Sequence, residues 1–557
     1  MSYRVIGWLL IIFACFYGLG SYPLLDHNEG MYAAIARDML HSGDFIIPHL
    51  NGLPYLEKPP LLFWLMAVSM SVFGEHEWAT RLVPALALFA TTWMMERFIY
   101  RQTKSQTASM AAALIFATAL PLLAIGRMVL CDMLMTCFLS AALMGFYNRG
   151  QGSEVRIQGR KEGFYGFYFF LALAVLTKGF VAIILAGGTI ALFLLWQRRP
   201  LQDYLRIVSL RGMLLFLVIT TPWHIAASLQ EPGFAYFYFI NEHVLRFLNL
   251  REPHDYYTGH IWYYLPRILG YLAPWTVFLA LFARKDAQCQ MLDIKKESFL
   301  ISDLYHLTSF LWSWFFFCLV FFSISGAKAN YYMIAGMPPL VMLLALKLAQ
   351  CMETKPHIIR GLASIALLLI ISAIELVQCF CYEGRGDLYP ICRIVSWPVI
   401  GATALYAIVA IALCWRSPPR WIVLLLGAHV LLLLPLLISG ANMAGDRISQ
   451  KPVAEFLKAS SYGEVAVYQE FEELSALAFY MGKPLVIVDS HSSDLLYGQQ
   501  HSPAARPLFI SLPEWISRAP PLPMVILNKR LDSVMAAHHN VCLLDRFERV
   551  SVIHVCE

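Results

Sequence analysis

Charge is what this sequence has least of. Asp, Glu, Lys and Arg make up only 14% of its 557 residues while 59% are hydrophobic, against about 25% charged in a soluble domain. With a mean hydropathy of +0.59, a soluble globular domain is excluded and a polytopic membrane protein is implied. The net charge of +5 does not make a nucleic-acid surface either. Its basic residues fall in short clusters between apolar runs, which is the pattern of the positive-inside rule. Zinc-type cysteine spacing is also lacking. Most of the twelve cysteines lie in apolar runs (Cys15, Cys131, Cys137, Cys318, Cys414), where they act as small hydrophobes. Cys379, Cys381, Cys392, Cys542 and Cys556 are left as disulfide candidates for an oxidising compartment, with the pairing open. No internal repeat or low-complexity segment is present. The first apolar run, Val5 to Tyr22, is not followed by a small-residue cleavage site, so it reads as a retained span.

What is there instead is a series of about thirteen apolar runs, near the roughly 20 residues that a helical span needs. They fall near 5–22, 80–99, 106–124, 130–148, 164–177, 180–196, 210–228, 263–283, 304–324, 332–350, 361–379, 396–415 and 421–440. Basic clusters occupy every second loop: Arg101 and Lys104; Arg149, Arg156, Arg160 and Lys161; Arg198, Arg199, Arg206 and Arg211; Arg284, Lys285, Lys295 and Lys296; Lys347, Lys355 and Arg360; Arg416 and Arg420. That side is assigned to the cytoplasm, with the N-terminus. The opposite loops collect Asp26, Glu29, Glu57, Asp132, Glu242, His243 and Lys328, and in a bacterium they face the periplasm.

The first far-side loop, about 23–79, is too long for a plain connector. Asn28 is placed to cap a helix over Glu29 to His41, with Met31, Ile35 and Met39 on one apolar face and Ser42-Gly43 as its stop. That helix is expected to lie in the membrane interface. A second apolar helix over Pro59 to Phe73 is too short to span and reads as interfacial or re-entrant. Residues 1–440 thus form a transmembrane domain. From 441 to 557 the composition turns mixed, with strands at Glu464–Tyr468, Leu485–Val488, Met524–Leu527 and Val550–Val555 around a helix at Glu472–Met481. This reads as a small α/β domain of about 115 residues, on the far side.

Ionisable residues beside or inside spans are functional candidates by default. Glu57-Lys58-Pro59-Pro60 fixes an acid and a base at a stiff turn that starts a helix, where a carboxylate can ligate a divalent cation and a lysine can neutralise a phosphate. A solvated loop is the bland alternative for Asp26, Glu29 and Glu57. Asp132 stands at the mouth of a span, with Arg127 the nearest ion-pair partner in sequence. Lys178 and Lys328 each sit at a span end on the same side, either snorkelling or holding an anionic headgroup. Glu242, His243 and Arg246 lie within one helical turn, followed by His254 and by His260 to Tyr264. A histidine beside a carboxylate there is either a hydrogen-bonded core residue or a metal ligand.

Asn28 to Ala33, Ser42 to Leu50, Glu57 to Pro60, Asp132, Thr177-Lys178-Gly179, Pro222-Trp223, Glu242 to Phe247, Trp262 to Tyr264 and Lys328 to Tyr332 together carry a resemblance. In order and spacing they resemble the bacterial polyprenyl-phosphate-dependent glycosyltransferases, the family of protein mannosyltransferases and of 4-amino-4-deoxy-L-arabinose lipid A transferases, with a C-terminal domain more like the latter. The resemblance implies an all-α polytopic membrane protein of the C-type glycosyltransferase fold with a periplasmic C-terminal domain, in the bacterial inner membrane. It also implies a sugar donor on undecaprenyl phosphate and a lipid A phosphate as acceptor. On that basis Asp26, Glu29 and Asp132 are the catalytic candidates, and Lys58, Lys178, Arg246, Lys328 and Tyr332 the donor-phosphate candidates. Glu57 and His243 are the candidate ligands of a divalent metal cation. The family usually has an acid where this chain has Asn28, and the aminoarabinose branch has Arg where it has Met31, so Asp26 stands as the substitute acid. Transfer of another sugar to a protein or glycan hydroxyl is the alternative activity. A lipid-linked sugar flippase is the alternative class, although transporters favour midplane sites.

Overall fold

Helices dominate the chain up to Ala444, and a six-stranded sheet follows. The computed structural model describes residues 2–150, 165–199, 209–254, 258–283, 298–382 and 397–556. Arg156, Arg160, Lys161, Arg206, Arg284, Lys285, Lys295, Lys296 and Cys392, used above, lie outside the described residues.

Among the described residues five helices are long and apolar enough to cross a membrane: Glu77–Thr103, Leu210–Gln230, Asp303–Ile324, Tyr332–Thr354 and Trp421–Met443. The count is seven if two bent pairs each form one span, Gln106–Thr118 with Leu120–Arg127 (66°) and Tyr264–Tyr271 with Trp275–Leu281 (113°). Other apolar runs appear as shorter helices because polar or helix-breaking residues cut them. The two runs expected near 164–177 and 180–196, on either side of Thr177-Lys178-Gly179, form the helices Tyr165–Lys178 and Val181–Trp196. Gly179 has φ +89°, a conformation that ends a helix and that side chains rarely adopt.

The first long loop forms the helix Asn28–Ser42, closed by Gly43 in the left-handed conformation. Asn28 lies in its first turn and does not cap it; His27 precedes it at φ +65°. The helix does not rest on the interface by one apolar face. Glu29, Gly30, Met31, Tyr32, Ala33, Ala34, Ile35, Ala36 and Met39 are all buried, because the helix is sandwiched between Leu61–Phe73 and Ser475–Met481. The approach is so close that a Cβ on Gly30 would lie 2.4 Å from the Ala476 Cα. Leu61–Phe73 turns Val68, Val72 and Phe73 outward, as suits a helix exposed to lipid.

An ion pair with no exposed surface locks this loop to the helix bundle. Glu29 accepts from Arg81 Nε (3.0 Å) and Nη2 (2.6 Å), and from the backbone N–H groups of Leu25 and Val129, both at 3.0 Å. Arg81 spends its remaining donors on the carbonyls of Leu19, Tyr22 and Pro23. Such a buried pair is tolerable only because both partners are fully hydrogen-bonded.

The first long loop holds a two-residue ribbon, β1 (His49–Leu50) against β2 (Leu53–Pro54). In the six-stranded sheet β3 (Ala466–Tyr468), β4 (Val486–Val488), β5 (Phe509–Ile510) and β6 (Met524–Leu527) run parallel, and β7 (Val541–Arg546) and β8 (Val550–Val555) close it antiparallel, in the order β5-β4-β3-β6-β8-β7. A disulfide joins Cys542 to Cys556 and ties the edge strand to the chain end. The sheet unit attaches to the bundle through polar contacts. Asn51 exchanges two hydrogen bonds with the Leu485 backbone, at 2.9 and 2.7 Å, and Glu77 accepts from Lys451 at 2.7 Å and Tyr480 at 3.0 Å.

Removing Glu29 leaves a buried guanidinium uncompensated, a loss of about 3–5 kcal/mol. Glu29→Ala is therefore expected to lower the unfolding midpoint of the detergent-solubilised protein well below that of a surface control such as Glu514→Ala; equal midpoints would refute it.

Candidate active site

Eight stretches of chain converge on one cavity, lined by Asn28, Met31 and Tyr32, by Tyr55, Glu57 and Lys58, by Cys131 and Asp132, by Lys178, by Arg246 and Arg251, by Tyr331 and Tyr332, by Glu472 and by Asp494. Each arrives for a local reason. Pro59 and Pro60 fix the backbone after Lys58, and the Leu61–Phe73 helix starts directly behind them. Glu242, His243 and Arg246 come from a stretch of π-helix, Tyr236–Leu245, followed at once by Arg246; this wide turn is rare and found mostly at functional sites. Asn241 then bonds both the carbonyl and the N–H of Glu252, at 2.6 and 2.9 Å, which folds Arg251 back toward Glu242.

The result is a compact charge cluster. Arg251 bridges Glu57 and Glu242, Arg246 lies 2.7 Å from Glu242 and 3.8 Å from Glu57, and Lys58 lies 3.4 Å from Glu57 and 3.8 Å from Glu242. Burial alone would raise the Glu57 carboxyl, but the charges of Arg251, Lys58 and Arg246 outweigh it and hold the group below the usual carboxylate range. Three cations thus gather about Glu57 and Glu242. Across the cavity Lys178 pairs with Asp132, and its ammonium stands 4.3 Å from the Tyr332 ring centre and 5.7 Å from that of Tyr331. Arg127, the partner expected from sequence, instead caps the carbonyls of Ala14 and Tyr17. Lys178 reaches Asp132 from another helix 46 residues on.

Of the residues singled out from sequence, Lys58, Glu57, Asp132, Lys178, Arg246 and Tyr332 line the cavity. Four do not. Glu29 is consumed by Arg81. Asp26 turns its carboxylate toward the sheet unit, where it accepts from Ala476 N at 3.2 Å and Gln450 at 3.1 Å, with Arg549 at 3.4 Å; Asn28, two residues on, does face the cavity. Lys328 is buried with its ammonium on the carbonyls of Ser323 and Ser325, at 2.8 and 2.6 Å, which caps the end of the helix that stops at Ile324. His243 has both ring nitrogens engaged: Nε2 accepts the Phe180 N–H at 3.1 Å, so Nδ1 carries the proton and donates to the Tyr238 carbonyl at 2.6 Å. Burial further lowers its basicity.

A divalent cation on Glu57 and His243 does not fit these residues. His243 has no free lone pair, and the Glu57 carboxylate is already surrounded by three positive charges that repel a metal. Among the described residues, the group close enough to share one ion is Cys542, His554 and Cys556, whose two cysteines are bonded to each other.

Arg251, Glu472 and Asp494 join the site without a sequence signal of their own. Glu472 and Asp494 lie in the loops after β3 and β4, at the carboxyl ends of parallel strands, where α/β sheets commonly bind ligands. Glu472 is fixed by Ser492 Oγ (2.6 Å) and the Asp494 N–H (2.9 Å). Burial, with the nearby charges of Glu57 and Glu472, pushes the Asp494 carboxyl well above the usual carboxylate range.

Residues 57–225 match the family described as dolichyl-phosphate-mannose-protein mannosyltransferase. The chain is 30% identical to the undecaprenyl phosphate-alpha-4-amino-4-deoxy-L-arabinose arabinosyl transferase of Aeromonas salmonicida over 69% of each chain. It is 27% identical to that of Shewanella sediminis over 96% of this chain and 94% of the other. Its fold is similar to that of ArnT from Cupriavidus metallidurans in a crystal structure with undecaprenyl phosphate, with a TM-score of 0.82, 23% identity, and 99% and 98% of the two chains covered. Fold and cavity define a multi-pass membrane glycosyltransferase of the C type. More narrowly, the chain belongs to the family of undecaprenyl phosphate-alpha-4-amino-4-deoxy-L-arabinose arabinosyl transferases.

Two measurements bear on this geometry. Burial raises the Asp26 carboxyl to about 7, against the opposing pull of Gln450, Arg549 and the Ala476 N–H. The folded chain therefore binds a proton there that the unfolded chain has released above about pH 4, and stability falls as pH rises from about 4 to 7, by up to about 1.4 kcal/mol per pH unit. Asp26→Asn should flatten this part of the stability–pH curve; an unchanged slope would count against it. Treatment with EDTA should leave sugar transfer undiminished, and a loss restored by Mg²⁺ or Mn²⁺ would reinstate a metal.

Proposed function

We propose that the protein transfers 4-amino-4-deoxy-L-arabinose from undecaprenyl phosphate to a phosphate of lipid A, at the periplasmic face of the bacterial inner membrane. The observation that carries this is the cluster of Lys58, Arg246 and Arg251, held in fixed directions by Glu57 and Glu242 at one wall of the cavity. Preorganised cations of this kind act most strongly where negative charge grows in the transition state.

In this reading an oxygen of the acceptor phosphate forms a bond to C1 of the sugar as the bond from C1 to the undecaprenyl phosphate oxygen breaks. The electron pair leaves with undecaprenyl phosphate, whose added charge falls on Lys58, Arg246 and Arg251. The acceptor is already anionic, so no proton needs to be removed. Asp132 holds Lys178 in place beside Tyr331 and Tyr332. On the sheet side, Glu472 and Asp494 present carboxyl groups to the cavity, the complement to the cationic amine of an aminosugar.

The test is mass spectrometry of lipid A from cells with and without the protein, where a pentosamine on phosphate is expected. In the same cells Lys58→Ala should abolish the shift and Asp26→Asn should leave it. Absence of the shift with the intact protein would refute the proposal.

A further inference from the structure

The motif Trp262-Tyr263-Tyr264, singled out in the sequence, lies outside the charge cluster. It begins the short helix Tyr264–Tyr271, which buries Tyr264, Ile268 and Tyr271 and exposes Leu265 and Leu269; Ile261 is 53% and Trp262 68% exposed just before it. This rim of large apolar groups belongs to the helix pair bent by 113°, and exposed tryptophan beside leucine suits the boundary between headgroups and acyl chains.

One cation stands in that rim. The Arg267 guanidinium stands over the Tyr263 ring, 3.4 Å from its centre. Its Nε donates to Asn330 Oδ1 at 2.9 Å and its Nη1 to the Tyr263 carbonyl at 2.8 Å, while the Tyr263 hydroxyl shares the same Asn330 oxygen at 2.6 Å. The guanidinium is thus fixed by neutral groups, and among the described residues no carboxylate pairs with it. This contrasts with Lys58, Lys178, Arg246 and Arg251, each of which has a carboxylate within reach. Asn330 is followed directly by Tyr331 and Tyr332, which line the cavity, so the arginine is held one residue away from the cavity wall.

We propose that Arg267 is the docking point for the phosphate of the acceptor lipid, whose acyl chains lie along Leu265 and Leu269. The proposal rests on the reading that the acceptor is an anionic glycolipid. A rigid planar guanidinium without a counter-charge is suited to a phosphomonoester. The apolar rim suits the chains that this phosphate brings with it. The donor, by contrast, is served by the buried cations of the cavity, Lys58, Arg246 and Arg251.

The full-length protein in phosphatidylcholine nanodiscs is the system to use, with lipid A and phosphatase-treated lipid A as probes and binding measured without donor. The intact protein should prefer the phosphorylated form about tenfold, the equivalent of one charge-assisted contact, and Arg267→Gln should remove that preference. Under turnover the same variant should raise KM for lipid A by a similar factor rather than KM for the donor, with partial rescue in Arg267→Lys. A preference that survives in Arg267→Gln overturns the inference, as does a rise in donor KM alone. So does an effect that appears only when phosphatidylglycerol is added, which would make Arg267 a general headgroup anchor. Failure of the intact protein to transfer sugar to lipid A would count against the activity proposed above; the binding comparison still decides the role of Arg267. Should Arg267→Gln not fold, Asn330→Ala, which removes the anchor of the guanidinium, gives the same comparison.

Discussion

The buried pair of Glu29 and Arg81 is the constraint on which the site depends. Glu29 sits one residue after Asn28 and two before Met31, both on the cavity wall, and it accepts the Val129 N–H just before Cys131 and Asp132. One carboxylate therefore sets the position of two walls. Arg81 carries the constraint into the Glu77–Thr103 helix and back to the carbonyls of Leu19, Tyr22 and Pro23. Charges this deep give little net stability over well-packed apolar groups. Here they give register: the loop cannot slide without stranding a charge.

The cavity follows the same logic one layer out. Glu57 and Glu242 hold Arg251, Arg246 and Lys58 in fixed directions. Such a charged cradle suits an anionic group more than proton transfer. His243 shows the same preference for positioning. It supports the turn at Phe180 and has no ring nitrogen left for proton transfer.

Local sequence carried part of this. Glu57-Lys58-Pro59-Pro60 was legible because acid, base and stiff turn are adjacent, and strands such as Met524–Leu527 and Val550–Val555 were legible from apolar runs. Lys328 had the right chemistry and the wrong direction: whether a lysine at a span end points to a cavity or caps a helix depends on one rotamer. Asp26 failed for a similar reason, since its carboxylate turns to a helix N-terminus more than 400 residues away in the chain. Arg251 and Asp494 gave no signal because their roles arise from folding an irregular loop and a distant strand end onto Glu57. The span count was blurred by bends such as that between Gln106–Thr118 and Leu120–Arg127, which the continuous apolar run 106–124 does not reveal.

Glu472 and Asp494 stand near the end of the chain, yet they complete a cavity whose first wall is built from residues 28–32. During synthesis the helices enter the membrane in order, and the charged cradle has its parts once residue 251 has emerged. The last wall arrives only with the sheet, whose strands begin at Ala466. A chain made only as far as the helix bundle therefore has a cavity open on one side, which the sheet unit closes when it docks.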